Sequence, residues 1–337
     1  MGKNMNLKFK KPSVETQMAM AEVASGKDNN DYHNLAEAKL TDYTKHQHAR
    51  LVNSGNAAIL SAMNFINGPI LIPDQGAWNG FKQIARFLNK EMITVETNQG
   101  LVTIDSLKEI LISDRFLDSH NLNNRAALFL TSFAAYTAEQ DIKEISEFLH
   151  KNYILLVEDV SGAIGFSQDS LSNGNYSDII IGSTGSPKIV NVGDGGFITT
   201  NDEELFRRSG ILLKTSKTSN ITACGIFREL DFAEENLNRT IDACSYLKDE
   251  IENKTDFEVI HKDKKGINVI IKTDDPNSLS YKLRREFRLD SHGMVTKCPN
   301  YNRLKEKAVA IEIKNLDISC LTNDNLDDIV ETLKDIN

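Results

Sequence analysis

One stretch of the chain decides the fold: residues 178–196, with the sequence DIIIGSTGSPKIVNVGDGG. Its apolar start predicts a buried strand at 178–182, and hydroxyl groups and Lys188 follow where that strand ends. A glycine-rich turn then leads into a second predicted strand at 197–200. The turn is not a dinucleotide-binding motif, because the G-x-G-x-x-G spacing and the strand-then-helix order are both missing.

Further apolar runs extend this pattern towards the N-terminus. The predicted strands are 70–73, 92–95, 127–131, 154–158, 178–182 and 197–200, and helical patterns lie between most of them. Several of these runs are unbroken rather than alternating, which is typical of strands covered by helices on both faces. We therefore predict an α/β fold with a mostly parallel central sheet between helices.

The length of 337 residues, with 40% hydrophobic and 26% charged residues, is ordinary for a globular protein of two domains. We predict an N-terminal arm at 1–27 with one amphipathic helix, and a large α/β domain at 28–212. After residue 212 the chain becomes more polar and charged. A loop at 214–222, a long helix at 231–251 and a closing helix at 326–336 are expected in a smaller α+β domain, 213–337.

Charge and composition exclude several classes of function. Acidic residues number 48 against 39 basic ones, a net charge of -9 that disfavours binding to nucleic acid. No apolar run reaches the roughly 20 residues that a membrane helix needs. The polar N-terminus has no apolar signal core, so we expect a cytoplasmic protein. Four cysteines without C-x-x-C spacing predict neither a metal site nor a disulfide framework.

Two candidate binding features follow predicted strands. At 53–58 a strand meets a helix, and Gly55 would let a phosphate approach the helix N-terminus. Plain capping of that helix by Ser54 or Asn56 explains the same residues. Asp159 directly follows the predicted strand 154–158, at the edge where open α/β sheets bind ligands, although it could equally cap the following helix or turn.

Three further residues carry possible chemistry. Ser183 supplies a hydroxyl donor, and Lys188 could act covalently if burial removed its charge, although most lysines are simply solvated. Trp78, the only tryptophan, could stack on a planar cofactor or could be a core or interface residue.

Taken in order, these features resemble the pyridoxal-phosphate (PLP) enzymes of fold type I, and among them the DegT-type aminotransferases of sugar nucleotides. The resemblance extends from about residue 26 to about residue 210. The matching segments are SGNAAI at 54–59, PDQGAW at 73–78, VEDVSGAIG at 157–165 and the stretch 178–196. In the last segment, the family's ten-residue step from aspartate to lysine is kept between Asp178 and Lys188.

The resemblance implies a PLP-transferase fold of type I, PLP as the cofactor and a homodimer with its sites at the interface. It implies that Lys188 holds PLP as an aldimine and shuttles protons, while Asp159 pairs with the pyridine nitrogen. The other implied cofactor-binding residues are Ser54, Gly55, Asn56 and Ser183 around the phosphate, Trp78 against the ring, and Ser161.

The implied function is transfer of an amino group from a glutamate-like donor to an oxo acceptor, possibly a sugar nucleotide. Three departures from the family leave alternatives open. Gly162 stands where the family usually has His or Gln, the family's G-x-N-x-R segment has no clean counterpart, and the C-terminal third lacks the family's usual substrate-facing features. A different PLP reaction is one alternative, namely β-elimination, decarboxylation or a desulfurase step with Cys224 or Cys298 as nucleophile. A non-catalytic PLP-binding protein is another.

Overall fold

The computed structural model describes residues 7–121, 124–166, 170–287, 289 and 293–336; residues 1–6 of the predicted arm and residue 337 lie outside them. The strands are β1 (His48–Val52), β2 (Ile70–Pro73), β3 (Met92–Val95), β4 (Ala127–Thr131), β5 (Phe133–Ala134), β6 (Ala138–Glu139), β7 (Leu155–Asp159), β8 (Ile179–Ser183), β9 (Gly196–Thr200), β10 (Val269–Lys272), β11 (Val295–Lys297) and β12 (Ala308–Ile311).

The helices alternate with these strands in the first two thirds of the chain. They are α1 (Val14–Ala24), α2 (Tyr32–Thr44), α3 (Gly55–Phe65), α4 (Gly80–Phe87), α5 (Ile104–Leu111), α6 (Asp114–Ser119), α7 (Ile142–Lys151), α8 (Glu204–Arg208), α9 (Gly210–Thr215), α10 (Asn220–Glu229), α11 (Ala233–Lys254), α12 (Pro276–Glu286) and α13 (Asn323–Ile336). Within the described residues, no helix is long and apolar enough to span a membrane.

The large sheet has the strand order β1-β9-β8-β7-β4-β2-β3. All neighbours from β8 to β3 pair in parallel, and β9 alone runs against its neighbours β8 and β1. The carboxyl ends of the parallel strands therefore lie along one edge, where α/β sheets bind ligands.

Helices cover both faces of this sheet. Along β4, Leu128 and Leu130 belong to one hydrophobic core and Phe129 belongs to another, and all three side chains are fully buried. Since successive side chains of a strand point to opposite faces, the two cores lie on opposite sides of the sheet. The predicted α/β class is confirmed, and so is the explanation of the unbroken apolar runs.

A second, antiparallel sheet with the order β10-β12-β11 forms the C-terminal part of the chain. Its apolar residues share a separate core with helices α11, α12 and α13. Helix α10 instead packs on α1 and α2, beside the large sheet. The division at residue 212 stays a prediction, and the packing of α10 favours a boundary nearer the start of α11.

The predicted loop at 214–222 is too long: the structure has a loop only at 216–219, between the end of α9 and the start of α10. Ser219 caps α10 by accepting a hydrogen bond from the Thr222 amide, so the Ser/Thr-rich sequence marks a helix start. The start of helix α12 was not predicted, although Asp275 caps it and Pro276 occupies its first turn. Such capping residues are a local signal for a helix start.

Candidate active site

A cavity of about 530 Å³ opens at the carboxyl edge of the large sheet. All eight residues predicted to bind a cofactor line it: Ser54, Gly55, Asn56, Trp78, Asp159, Ser161, Ser183 and Lys188. They come from segments far apart in sequence, which follow or end β1, β2, β7 and β8. The volume lies within the range of roughly 300–1,000 Å³ that small-molecule sites occupy.

The N-terminus of α3 forms one end of the cavity. Ser54 caps the helix, since its hydroxyl accepts from the Ala57 amide at 3.2 Å. Among the described residues, no protein group accepts a hydrogen bond from the amides of Gly55 and Asn56. Two donors and the positive end of the helix dipole are therefore available to an anion.

Close contacts explain why glycine stands at this helix end. A Cβ atom on Gly55 would lie 2.6 Å from the Cβ of Ser183, closer than atoms can approach. Gly195 and Gly196 bring the start of β9 against the same turn, where a Cβ on Gly196 would lie 2.7 Å from the Ser54 carbonyl carbon. The glycine-rich turn of the sequence therefore packs backbone against backbone beside the cavity.

Asp159 ends β7 and is held by Ser161. The amide and hydroxyl of Ser161 both donate to Asp159 Oδ1, at 3.0 and 2.5 Å, and the Ser161 hydroxyl accepts from the Ser183 amide at 2.8 Å. In the described part of the chain, no hydrogen bond reaches Oδ2. Burial raises the pKa of Asp159, and the charge of Lys188 and the bonds from Ser161 only partly offset this effect.

Lys188 is partly buried, and its Nζ donates to the hydroxyl of Tyr136 at 2.9 Å. Burial lowers the pKa of Lys188, but its interactions with Tyr136 and Asp159 raise it. The pKa of Lys188 therefore lies above its ordinary value. Burial does not remove the charge of this amine, because Tyr136 and Asp159 offset its effect.

Trp78 lies at the mouth of the cavity with 40% of its surface exposed. Its indole N–H donates to the side-chain oxygen of Asn56 at 3.0 Å, which joins the segment after β2 to the head of α3. The core alternative for Trp78 does not hold, since the ring is exposed. The Asn56 side chain holds the indole rather than capping α3.

The sequence did not point to several residues that line the cavity. Tyr136 comes from the β5–β6 turn, while Thr296, Asn300, Asn302, Arg303 and Lys314 come from the C-terminal part of the chain. Charge patterns alone could not single out Arg303 or Lys314, because the C-terminal part is charged throughout.

A buried ion cluster forms the C-terminal wall. Arg303 donates from Nε and one terminal nitrogen to the two carboxylate oxygens of Glu312, at 2.8 and 2.9 Å. Arg303 and Lys314 outweigh the cost of burial and lower the pKa of Glu312 to about 2. Burial lowers the pKa of Lys314 to about 7, despite the nearby Glu312. Two lysines therefore line the cavity, and their pKa values are shifted in opposite directions: that of Lys188 is raised and that of Lys314 is lowered.

Neither cysteine of the desulfurase alternative lines the cavity. Cys224 lies buried in α10 and Cys298 lies buried after β11. Burial raises the pKa of both thiols, which disfavours the reactive thiolate.

The residues fit the cofactor that the motifs suggest. A buried carboxylate with one oxygen lacking a donor, Asp159, suits a protonated ring nitrogen. The amides at the head of α3 suit a phosphate, and Lys188 offers an amine inside the same cavity. This combination of fold and site defines the class of PLP-dependent transferases of fold type I.

Comparison with known proteins gives the family. The model of the DegT/DnrJ/EryC1/StrS aminotransferase family matches residues 10–225, nearly two thirds of the chain, so the chain belongs to that family. This confirms the resemblance seen in the motifs. A second family model, the MJ1341 family C-terminal domain, matches residues 234–334.

Individual relatives are distant. GDP-perosamine synthase of Caulobacter vibrioides is 24% identical over 180 residues, which are 52% of this chain and 46% of that protein. The match thus spans about half the length of that relative.

PseC of Helicobacter pylori, an aminotransferase involved in the biosynthesis of pseudoaminic acid, has a similar structure with a TM-score of 0.77 and 14% identity over 99% of both chains. Sugar aminotransferase CalS13 of Micromonospora echinospora has a similar structure with a TM-score of 0.72 and 17% identity, over 98% of this chain and 99% of that one. These likenesses confirm the fold.

Proposed function

We propose that this protein is a PLP-dependent aminotransferase that moves an amino group from a glutamate-like donor to an oxo acceptor. The proposal rests on one observation: Lys188, Asp159 and the anion-binding N-terminus of α3 line the same cavity. Membership of an aminotransferase family supports the reaction class. The likeness to GDP-perosamine synthase and to a sugar aminotransferase favours an oxo sugar on a nucleotide as the acceptor.

Each part of the cofactor has matching residues in the cavity. Lys188 would hold its aldehyde carbon covalently, and Asp159 would pair with its ring nitrogen. The amides of Gly55 and Asn56 and the hydroxyl of Ser183 would bind its phosphate. Trp78 would pack against the ring, and Ser54 and Ser161 would complete the pocket by fixing the helix head and the aspartate. When bound, PLP supplies an electron sink for the bond that is broken at the donor's Cα.

The protein's own groups would do three tasks. Lys188 Nζ would take up the proton released from the donor's Cα and return it later in the reaction. The Asp159 carboxylate would keep a positive charge on the group it faces, which Ser161 helps by fixing Oδ1. The buried walls would exclude water, which strengthens these electrostatic interactions.

An amino-acid donor brings a carboxylate into the cavity, and the C-terminal wall is suited to receive it. Arg303 and Lys314 together carry more positive charge than Glu312 neutralises. We propose that this wall attracts the donor's carboxylate. A homodimer and a cytoplasmic location are proposed as well, on the resemblance to the family; light scattering of the purified protein tests the dimer.

The decisive experiment traps the cofactor. The protein is loaded with PLP, reduced with borohydride and digested, and the modified peptide is located by mass spectrometry. We expect the PLP mass on Lys188 and its loss from that position in Lys188→Ala. A Lys314→Met variant is the matched control, because Lys314 lines the same cavity and its pKa of about 7 leaves a neutral amine available. Modification of Lys314 instead of Lys188 in the wild type contradicts the proposal.

The reaction type needs a second measurement. The loaded protein is mixed with glutamate, and release of 2-oxoglutarate is followed. Amino transfer predicts one equivalent per site before an acceptor is added. Release of pyruvate or sulfide from other amino acids would support a different PLP reaction, and a bound cofactor that responds to no amino acid would support a non-catalytic role.

A further inference from the structure

Tyr136 occupies the charged side of the cavity and contacts the candidate catalytic lysine. Its hydroxyl accepts a hydrogen bond from Lys188 Nζ at 2.9 Å. The charged groups of Lys188, Arg303 and Lys314 lie 5.3, 5.1 and 5.1 Å from the centroid of its ring. One aromatic ring thus packs among three cationic side chains, each within cation–π range.

The backbone at this position adopts a conformation that side chains disfavour. Ala135 and Tyr136 both have positive φ, 51° and 64°. The carbonyl of Tyr136 accepts hydrogen bonds from the amides of Ile267 and Asn268, at 2.8 and 2.9 Å. Residues just before β10 therefore hold the turn in place. Strain that the surrounding structure maintains in this way often marks a functional position.

Gly162 explains why the ring can sit there. A Cβ at residue 162 would lie 3.0 Å from Tyr136 Cε1 and 2.9 Å from Ile267 Cδ1. Any larger side chain at 162 would displace the tyrosine ring or the chain that supports it. The absence of a side chain at Gly162 does not make the cavity more open, because Tyr136 fills the space next to it.

We propose that Tyr136 is a positioning residue for Lys188. The tyrosine hydroxyl holds the lysine amine in the cavity whenever that amine is not covalently bound. The role of the lysine itself rests on the proposed function. Besides Tyr136, the charged groups that act on Lys188 are Asp159, Arg303 and Lys314. Asp159 attracts the protonated amine, while Arg303 and Lys314 repel it, so the tyrosine bond opposes the two cations on the C-terminal wall.

This arrangement has a measurable consequence in the protein without cofactor. The amine gives a hydrogen bond to Tyr136 as long as it carries its protons, so loss of the hydroxyl should make the proton easier to remove. Hydrogen bonds that involve a charged group correspond to a pKa change of about one to two units. Tyr136→Phe should therefore lower the pKa of Lys188 by about that amount and keep the ring in place.

Competitive labelling of the cofactor-free protein with acetic anhydride over a range of pH, read by peptide mass spectrometry, gives the pKa of Lys188 directly. Tyr43→Phe is the matched control, because it also removes a partly buried tyrosine hydroxyl. The Tyr43 hydroxyl donates to the Leu230 carbonyl, and Tyr43 does not line the cavity. We expect the control to leave Lys188 unchanged. An unchanged pKa in Tyr136→Phe overturns the proposal.

Should Tyr136→Phe fail to fold, Tyr136→Leu replaces it, because this variant also removes the hydroxyl that accepts the hydrogen bond from Lys188 Nζ. The same downward shift is expected, and its absence is equally decisive. The labelling needs no cofactor, so it is independent of the proposed function. If the wild type fails to trap PLP but Tyr136→Phe lowers the pKa of Lys188, the aminotransferase proposal fails and the positioning role of Tyr136 is supported. If PLP is trapped on Lys188 but the pKa does not change, only the positioning role is overturned.

Discussion

Gly55 at the start of α3 lies directly against Ser183 at the end of β8. A Cβ on the glycine would come within 2.6 Å of the serine Cβ and 3.2 Å of its Cα. The contact joins the helix that offers two amides to the strand that leads to Lys188. It sets the distance between the candidate phosphate site and the candidate catalytic lysine.

Gly55→Ala should disturb both stability and cofactor binding. The added methyl group must move α3 or β8, since both the Cβ and the backbone Cα of Ser183 lie in its way, and overpacking of this kind costs about 1–3 kcal/mol. We expect a loss of that size in the free energy of unfolding by urea, and weaker PLP binding by about tenfold for each 1.4 kcal/mol lost at the site. Gly210→Ala is the control, because nothing lies within 4 Å of its added Cβ. Equal effects in the two variants would show that the contact with Ser183 is unimportant.

Amide substitutions of the neighbouring carboxylates Glu158 and Asp159 should have different effects: the first should lower stability and the second should lower activity. Glu158 is fully buried and accepts hydrogen bonds from the hydroxyls of Ser132 and Ser177 and the amide of Ser172, so its place in the structure is that of a satisfied core group. Glu158→Gln points an amide N–H₂ at these donors and should cost about 1–3 kcal/mol of unfolding free energy.

Asp159→Asn should leave unfolding nearly unchanged, because the retained oxygen can still accept from Ser161. Its activity should fall by at least about 10²-fold, the loss typical when a group that stabilises developing charge is removed. Urea unfolding and single-turnover release of 2-oxoglutarate separate the two variants. An active Asp159→Asn, or an inactive but fully stable Glu158→Gln, would reverse the assignment.

Much of the large domain could be predicted because its signals are local. Strands β2, β3 and β4 appear in the sequence as short apolar runs, and their observed bounds equal the predicted ones. The parallel pairing of β7 with β8 then brings Asp159 and the segment leading to Lys188 to the same edge. Strand-end reasoning placed Asp159 at this edge, but only the resemblance to the family implied that Asp159 and Lys188 share a site.

The other side of the cavity could not be predicted, because long-range contacts place it. Tyr136 reaches Lys188 through two residues with positive φ and through hydrogen bonds from Ile267 and Asn268, which belong to the C-terminal part. Arg303 depends in the same way on its pairing with Glu312. No pattern within a short window of sequence carries such information, since it depends on how the two sheets pack.

His46 should make the stability of the protein fall in mild acid. Its ring is buried and lies 2.8 Å from the Thr199 hydroxyl and 2.9 Å from the Ser177 carbonyl oxygen, and burial lowers its pKa from 6.5 to about 4. The unfolded chain therefore binds a proton between pH 6.5 and 4 that the folded protein does not bind. The stabilisation is complete above pH 6.5 and is lost as the pH falls to about 4, by about 3 kcal/mol in total.

The test is the difference between wild type and His46→Gln in urea unfolding at several pH values. The variant should be less stable at pH 7, and the gap should narrow as the pH falls through this window. Carboxylates titrate in both proteins, so their contribution cancels in the difference. A gap that stays constant from pH 7 to pH 4 would mean that His46 is protonated as readily in the folded protein as in the unfolded chain.

Lys248 on α11 should be needed for the turn that presents Tyr136. Its side chain is 1% exposed, and its Nζ donates to the carbonyl oxygens of Thr137, His261 and Lys264, at 2.7, 2.9 and 2.7 Å. Lys248→Met keeps most of the volume but removes the donor of the Thr137 and Lys264 carbonyl groups, while the His261 carbonyl still accepts from the Lys264 amide. Each unsatisfied buried group costs about 1–3 kcal/mol, so a loss of about 2 kcal/mol or more is expected.

Lys254→Met on the same helix is the matched control. Lys254 is partly exposed and pairs with Glu250 at the surface, where ion pairs contribute about 0–1 kcal/mol. Since Thr137 follows Tyr136 directly, Lys248→Met should also slow the covalent capture of PLP by Lys188, while Lys254→Met should not. If both variants unfold at the same urea concentration as the wild type, the three hydrogen bonds do not hold this turn, and the support of Tyr136 must come from Ile267 and Asn268 alone.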